Sequence, residues 1–239
     1  MSQLFDAHIG ITPGSSSNSA ELRGAIFFPP DAARFRAERD DQDAAGLWRH
    51  AERISNVIGV DDPRFPPTAP DVIDLVVSYA ELKELLVAPE HAWFPLLGDT
   101  PRYALKLNLP PNGGAIPLIK KLVWRFPHTR FLVDPFLHGP TSSWMAQLRM
   151  AECENLFLTT LGLAPGPACS WPDHALVEEA CHVVSGEVGA GKLLFASGAS
   201  SMKYDASIYL KWLENITSFD SAQRDLVAWT NAAEIFKSR

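Results

Sequence analysis

The stretch Lys192-Leu193-Leu194-Phe195-Ala196 decides the fold. Its apolar residues follow one another without polar alternation, the pattern of a strand covered on both faces, as in a parallel sheet. Upstream, residues 173–185 have the spacing of a helix, and residues 156–160 read as another apolar strand. The alternation continues toward the N-terminus through a helix at 142–152, a strand at 130–134, a helix at 116–125 and a strand at 103–107. Downstream, residues 204–215 and 221–236 read as helices. Strands that alternate with helices of this length argue for a parallel sheet with helices packed on its faces.

The N-terminal half is harder to divide. Residues 4–11 and 24–28 read as strands, the second stopped by Pro29-Pro30, and the charged stretch 31–55 has surface-helix spacing through Phe35, Leu47, Trp48 and Ile54. A short strand at 57–60 precedes a Pro-rich loop, and 72–87 is apolar enough to be a strand and a helix or one long helix. The count reaches eight strands, which predicts a compact (β/α)8, TIM-like barrel, distorted in its N-terminal half, as a single domain over Met1–Arg239. A doubly wound open sheet is the competing architecture, because 56–100 leaves the third and fourth strands unplaced.

Composition narrows the function classes. A chain of 239 residues with 46% hydrophobic content matches the size of one barrel. Its 28 acidic against 21 basic residues give a net charge of -7, which opposes electrostatic capture of nucleic acid or an anionic membrane surface. A small molecule or a protein is the expected partner. Cys153, Cys169 and Cys181 lack the spacing of a disulfide framework or zinc ribbon, so reduced thiols and a cytoplasmic location are expected. Met1-Ser2-Gln3-Leu4-Phe5-Asp6 has neither the basic nor the apolar region of a signal peptide, and no apolar run is long enough to span a membrane.

Several segments, taken in order, resemble the amidohydrolase-related family of metal-dependent hydrolases, decarboxylases and lactonases. Phe126-Pro127-His128-Thr129-Arg130-Phe131-Leu132-Val133-Asp134 is similar to the family's Phe-Pro turn and the strand that normally ends Asp-His. Asn155-Leu156-Phe157-Leu158-Thr159-Thr160-Leu161-Gly162 resembles its next strand, and Leu193-Leu194-Phe195-Ala196-Ser197-Gly198 resembles its Gly-Ser-Asp strand. Asn231-Ala232-Ala233 is similar to the closing Asn-Ala segment, and Phe5-Asp6-Ala7-His8-Ile9-Gly10 looks like the opening Asp-x-His-x-His motif without its second histidine. The resemblance implies a TIM barrel whose chemistry lies at the C-terminal ends of the strands.

The departures bear on mechanism. A hydrolytic metal site needs several imidazole or carboxylate ligands around one cation, with a position left for water. Here Gly10, Pro135 and Gly198 stand where the family has ligands, and His8 alone is retained. The expectation is therefore a degenerate site with no metal and no cofactor. If active, such a chain is a lactonase-like hydrolase of a small carboxylated lactone or ester. The alternative is a non-catalytic ligand-binding or structural paralogue that pairs with an active homologue or with a second copy of itself.

Asp134 and His8 are the candidate catalytic residues, since either can take a proton from water at a strand end. Their bland readings are a turn cap before Pro135 and an inherited vestige. Lys106, His138 and Ser197 are the candidate contacts to an anionic substrate, against readings of Lys106 as an exposed lysine and of His138 as a solvated loop histidine. Two near-motifs are set aside. Gly186 to Lys192 has the glycine and lysine spacing of a phosphate loop, but Leu193 replaces the required hydroxyl and the segment joins a helix to a strand rather than the reverse. Cys169, His174, Cys181 and His182 do not follow metal-ligand spacing.

Overall fold

The computed structural model describes residues 4–9, 22–27, 51–59, 71–76, 83, 86–87, 103–108, 113–136, 144–164, 173–198 and 205–236. The strands are β1 (Leu4–Ile9), β2 (Leu22–Phe27), β3 (Ala51–Gly59), β4 (Asp71–Val76), β5 (Tyr103–Asn108), β6 (Phe131–Val133), β7 (Leu156–Thr159) and β8 (Leu193–Leu194). They form one eight-stranded sheet in sequential order. Neighbours are parallel from β4 through β8 and between β1 and β2, but β3 runs antiparallel to both of its partners. The architecture is a TIM-like α/β barrel with one reversed strand, and the distortion lies in the N-terminal half. A reversed strand pairs without the crossover helix that a parallel neighbour needs.

Residues 51–55 correct the expected surface helix at 31–55: they are the first half of β3. Ile54, Val57 and Ile58 are β-branched and favour a pleated strand over a helix. The rest of that expected helix lies outside the described residues. At 72–87 the reading as a strand followed by helix is the one found, with β4 ending at Val76 and helical residues at Lys83, Leu86 and Val87.

Between strands, α1 (Ile116–Arg125) buries Ile116, Ile119, Leu122 and Val123 along one stripe. Helix α2 (Trp144–Leu148) tightens into a 3-10 turn at Arg149–Glu152 before β7. Helix α3 (His174–Glu187) starts at Asp173, whose side chain accepts the Ala175 N–H at 2.9 Å. Helix α4 (Ala206–Asn215) starts the same way at Asp205. Helix α5 (Ser221–Asp225) opens on a reciprocal capping box between Asp220 and Gln223. It passes through a π-helical turn, Leu226–Thr230, into α6 (Asn231–Phe236). No helix among the described residues is long and apolar enough to cross a membrane.

Two asparagines tie the connections to the strands. Asn155 Nδ2 donates to the carbonyls of Val123, Phe126 and Thr129, fixing the Phe-Pro turn between α1 and β6. Asn231 Nδ2 donates to Ala190 and Leu193 at 2.7 Å each, fastening α6 to the entry of β8. Lys192 is no phosphate ligand: its ammonium donates to the carbonyls of Cys153 and Glu154 and lies 4.7 Å from the Phe157 ring centre. Burial holds it below its ordinary pKa, with Glu154 pulling the other way. The phosphate-loop reading fails on geometry as well as on sequence.

The ladder runs from β1 to β8, and among the described residues no β8–β1 rungs close it. Instead the Phe195 N–H, just past β8, donates to the Val227 carbonyl in the π-helical turn at 3.1 Å. That turn packs against both β1 and β8. The turn thus covers the strand end, and its Val227 carbonyl accepts a hydrogen bond that a neighbouring strand would otherwise take.

Glu178 on α3 gathers the loop before α5: its carboxylate accepts from the N–H and hydroxyl groups of Thr217 and Ser218. Burial pushes its pKa up, but these four donors outweigh it and hold the carboxyl below its ordinary value of 4.5. A depressed carboxyl contributes stability above its unfolded value and loses it as pH falls through the folded one. Glu178→Gln is therefore expected to be less stable than wild type by about 1–3 kcal/mol at neutral pH. Thermal melts at pH 7 and in acid below 4.5 check this: a gap that does not shrink in acid overturns the assignment.

Candidate functional site

The register of β5 to β8 sorts the strand residues into two faces. Leu105, Leu107, Phe131, Val133, Leu156, Leu158 and Leu193 share one, while Lys106, Leu132, Phe157, Thr159 and Leu194 share the other. Phe195 extends the first face and packs on Tyr209 and Trp212 of α4, so that face is the helix-covered outside. Lys106, Thr159 and Asp134, two residues beyond Leu132, belong to the inside of the barrel toward the C-terminal ends of the strands.

There they meet. Lys106 Nζ lies 2.9 Å from Asp134 Oδ2, and the two side chains are 0% and 2% exposed. The approach is not that of a hydrogen bond: Oδ2 is buried without a hydrogen-bond partner, and the contact is an ion pair. Asp134 Oδ1 accepts the Thr159 hydroxyl at 2.5 Å, and the hydroxyl oxygen accepts the Leu161 N–H at 3.2 Å. Taking two charges out of water costs several kcal/mol per ion, so neither is held here without the other.

The sequence placed Lys106 and Asp134 among the site candidates, and the fold brings them into contact. Lys106 is fully buried, which corrects its reading as an ordinary exposed lysine. Ser197 is also buried, beyond the end of β8, but is not a partner of Asp134. His8 falls on β1, its side chain outside the described residues, and His138 lies outside them altogether. Thr159 was missed: in the sequence it reads as an ordinary strand threonine, and its inward position follows only from the β6–β7 register. Beside it, the Thr160 hydroxyl accepts from Ala196 N–H at 2.8 Å and donates to Ala196 O, stitching β7 to the chain past β8 where the ladder stops.

Gly198 has φ 66°, the left-handed region that favours glycine. At the position where the resemblance would put an aspartate, the backbone itself suits a residue without a side chain. Among the described residues, no three His, Cys, Asp or Glu side chains converge as a metal site would require. Cys181 and Cys153 are free and buried. Burial, then Glu178, pushes the Cys181 thiol up to about 12, and burial also raises Cys153. Neither has the exposed thiolate character of a nucleophile.

A cavity of about 390 Å³ lies at the opposite end, lined by Arg130, Asn155, Phe157, Asn231 and Glu234 among others. It contains none of the candidate residues. Arg130 precedes β6 whereas Asp134 follows it, and the N-terminal end of a β/α barrel serves stability rather than chemistry.

No family model matches the chain, and no curated protein proves similar to it. Solved structures do match. A protein from Pseudomonas putida assigned as a 2-pyrone-4,6-dicarboxylic acid hydrolase aligns with a TM-score of 0.57 and 14% identity, over 99% of this chain and 98% of its own. Amidohydrolase 2 from Bifidobacterium longum subsp. infantis aligns with a TM-score of 0.53 and 13% identity, over 99% of both chains. The buried cluster at the ends of β5, β6 and β7 thus sits in a chain that has the barrel fold of the amidohydrolases, the fold its sequence segments resemble.

Proposed function

We propose that the chain is an amidohydrolase-related hydrolase of a small carboxylated lactone or ester, working without a metal. The observation that carries this reading is the buried Lys106–Asp134 pair with Thr159 at the catalytic end of the barrel. Asp134 takes a proton from water, and the Lys106 ammonium steadies the negative charge that develops on the attacked carbonyl or holds a substrate carboxylate. The donor set does not fit a hydrolytic metal: Gly10, Pro135 and Gly198 offer no ligating side chain, and Asp134 already faces an ammonium and a hydroxyl. The substrate class has support from the neighbour assigned to 2-pyrone-4,6-dicarboxylic acid, a cyclic ester carrying two carboxylates.

A panel of lactones and esters tests the proposal. Wild type turns over at least one, and Asp134→Asn lowers its kcat by about 10²–10⁴-fold, the usual worth of a general base. His8→Ala shows whether the retained histidine takes part. Elemental analysis of protein purified without chelators gives a second test, since one tightly bound transition metal per chain overturns the metal-free mechanism.

A second reading is a non-catalytic barrel that binds an anionic small molecule or pairs with a copy or an active homologue. It is favoured by the near-complete burial of the pair. Absence of any turnover by wild type decides for it.

A further inference from the structure

The two oxygens of Asp134 are not equivalent. Oδ1 accepts the Thr159 hydroxyl at 2.5 Å, and that hydroxyl in turn accepts the Leu161 N–H at 3.2 Å. A hydroxyl oxygen engaged by a main-chain amide has its own proton turned away from that amide, here onto the carboxylate. Oδ2 faces the ammonium 2.9 Å away in an ion pair outside hydrogen-bond geometry and accepts a hydrogen bond from no other donor. A carboxylate turned part-way from this orientation would lose the Thr159 contact and leave a buried hydroxyl unmatched, so the oxygen that faces Thr159 and the one that faces the ammonium keep distinct positions.

We infer that Thr159 is a positioning residue, which holds Oδ1 so that Oδ2 is the atom that handles the proton. The inference rests on the hydrolase reading above. Oδ2 takes one proton from water as the water oxygen bonds to the acyl carbon. The acyl carbon–oxygen bond of the lactone or ester then breaks, and the departing oxygen takes the proton back from Oδ2. Water is added across the bond, Asp134 ends as it began, and no oxidant or reductant is needed. Thr159 keeps its proton throughout and touches no reacting atom.

The test compares wild type, Thr159→Val and Thr159→Ser on whichever lactone or ester wild type hydrolyses. Valine keeps the shape and removes the hydroxyl, whereas serine keeps the hydroxyl. The expected result is a kcat about tenfold or more below wild type in the valine variant, short of the full worth of the base, with KM unchanged and kcat restored by serine. A valine variant with wild-type kcat overturns the inference and leaves the hydrolase reading standing, as does a serine variant as slow as valine, which would point to packing alone. A wild type that hydrolyses nothing in the panel overturns both. If valine does not fold, Thr159→Cys serves, its thiol being a weaker donor of similar size. Turnover equal to that of the serine variant would then overturn the inference.

Discussion

Asp134→Ala is expected to lose about 3–5 kcal/mol of stability in urea denaturation, because it leaves the Lys106 ammonium buried at 0% exposure without its counter-charge. The size of the effect measures the stranded charge and not the net worth of the pair. The double variant Lys106→Met, Asp134→Leu removes both ions and refills the space with apolar atoms. It is expected to match wild type or exceed it by about 1–4 kcal/mol. An alanine variant as stable as wild type would mean that the pair is not buried as described. The double variant also separates function from folding: it is a folded barrel without the proposed acid–base group, so turnover that survives in it removes Asp134 and Lys106 from the mechanism.

Phe195→Ala is the second large effect, at about 3–5 kcal/mol. The side chain is fully buried against α4, with ring centres 5.4 Å from Tyr209 and 6.1 Å from Trp212 in tilted contacts. Each aromatic pair adds about 0.5–1.5 kcal/mol to the area that the ring removes from water. Strand β8 has only two residues, so much of what holds the chain there is this ring together with the Asn231 tie. Phe195→Leu, which keeps most of the volume, should lose much less. Equilibrium unfolding of both variants is the check, and a loss below about 1 kcal/mol in the alanine variant would contradict the packing of α4 on this strand.

The C-terminal half was legible because each parallel strand there is a short apolar run framed by helices, a pattern that local composition determines. The direction of β3 was not legible. Its own periodicity is the same whichever way its neighbours run, and direction is fixed by the pairing with β2 and β4, which the residues of β3 do not record. The apolar spacing at 31–55 fitted a helix through Ile54, yet Ile54 and the β-branched Val57 and Ile58 after it belonged to a strand. For the site, Lys106 and Asp134 were visible as charges in apolar strands. Their contact was not, because it depends on the β5–β6 register. Thr159 carried too little signal: a threonine in a strand reads as ordinary β propensity, and only its parity with the inward face of β6 marks it as a partner.

The bond from Phe195 to the π-helical turn has a consequence for how the cylinder is made. That bond joins segments close in the chain, whereas the packing of the same turn on β1 unites the first and last described segments, the most expensive loop in configurational terms, and nothing local rewards it until the intervening strands are aligned. The seam at β1 is therefore the last to zip and the first to part, while the end of β8 is moored to a turn that follows it closely in the chain.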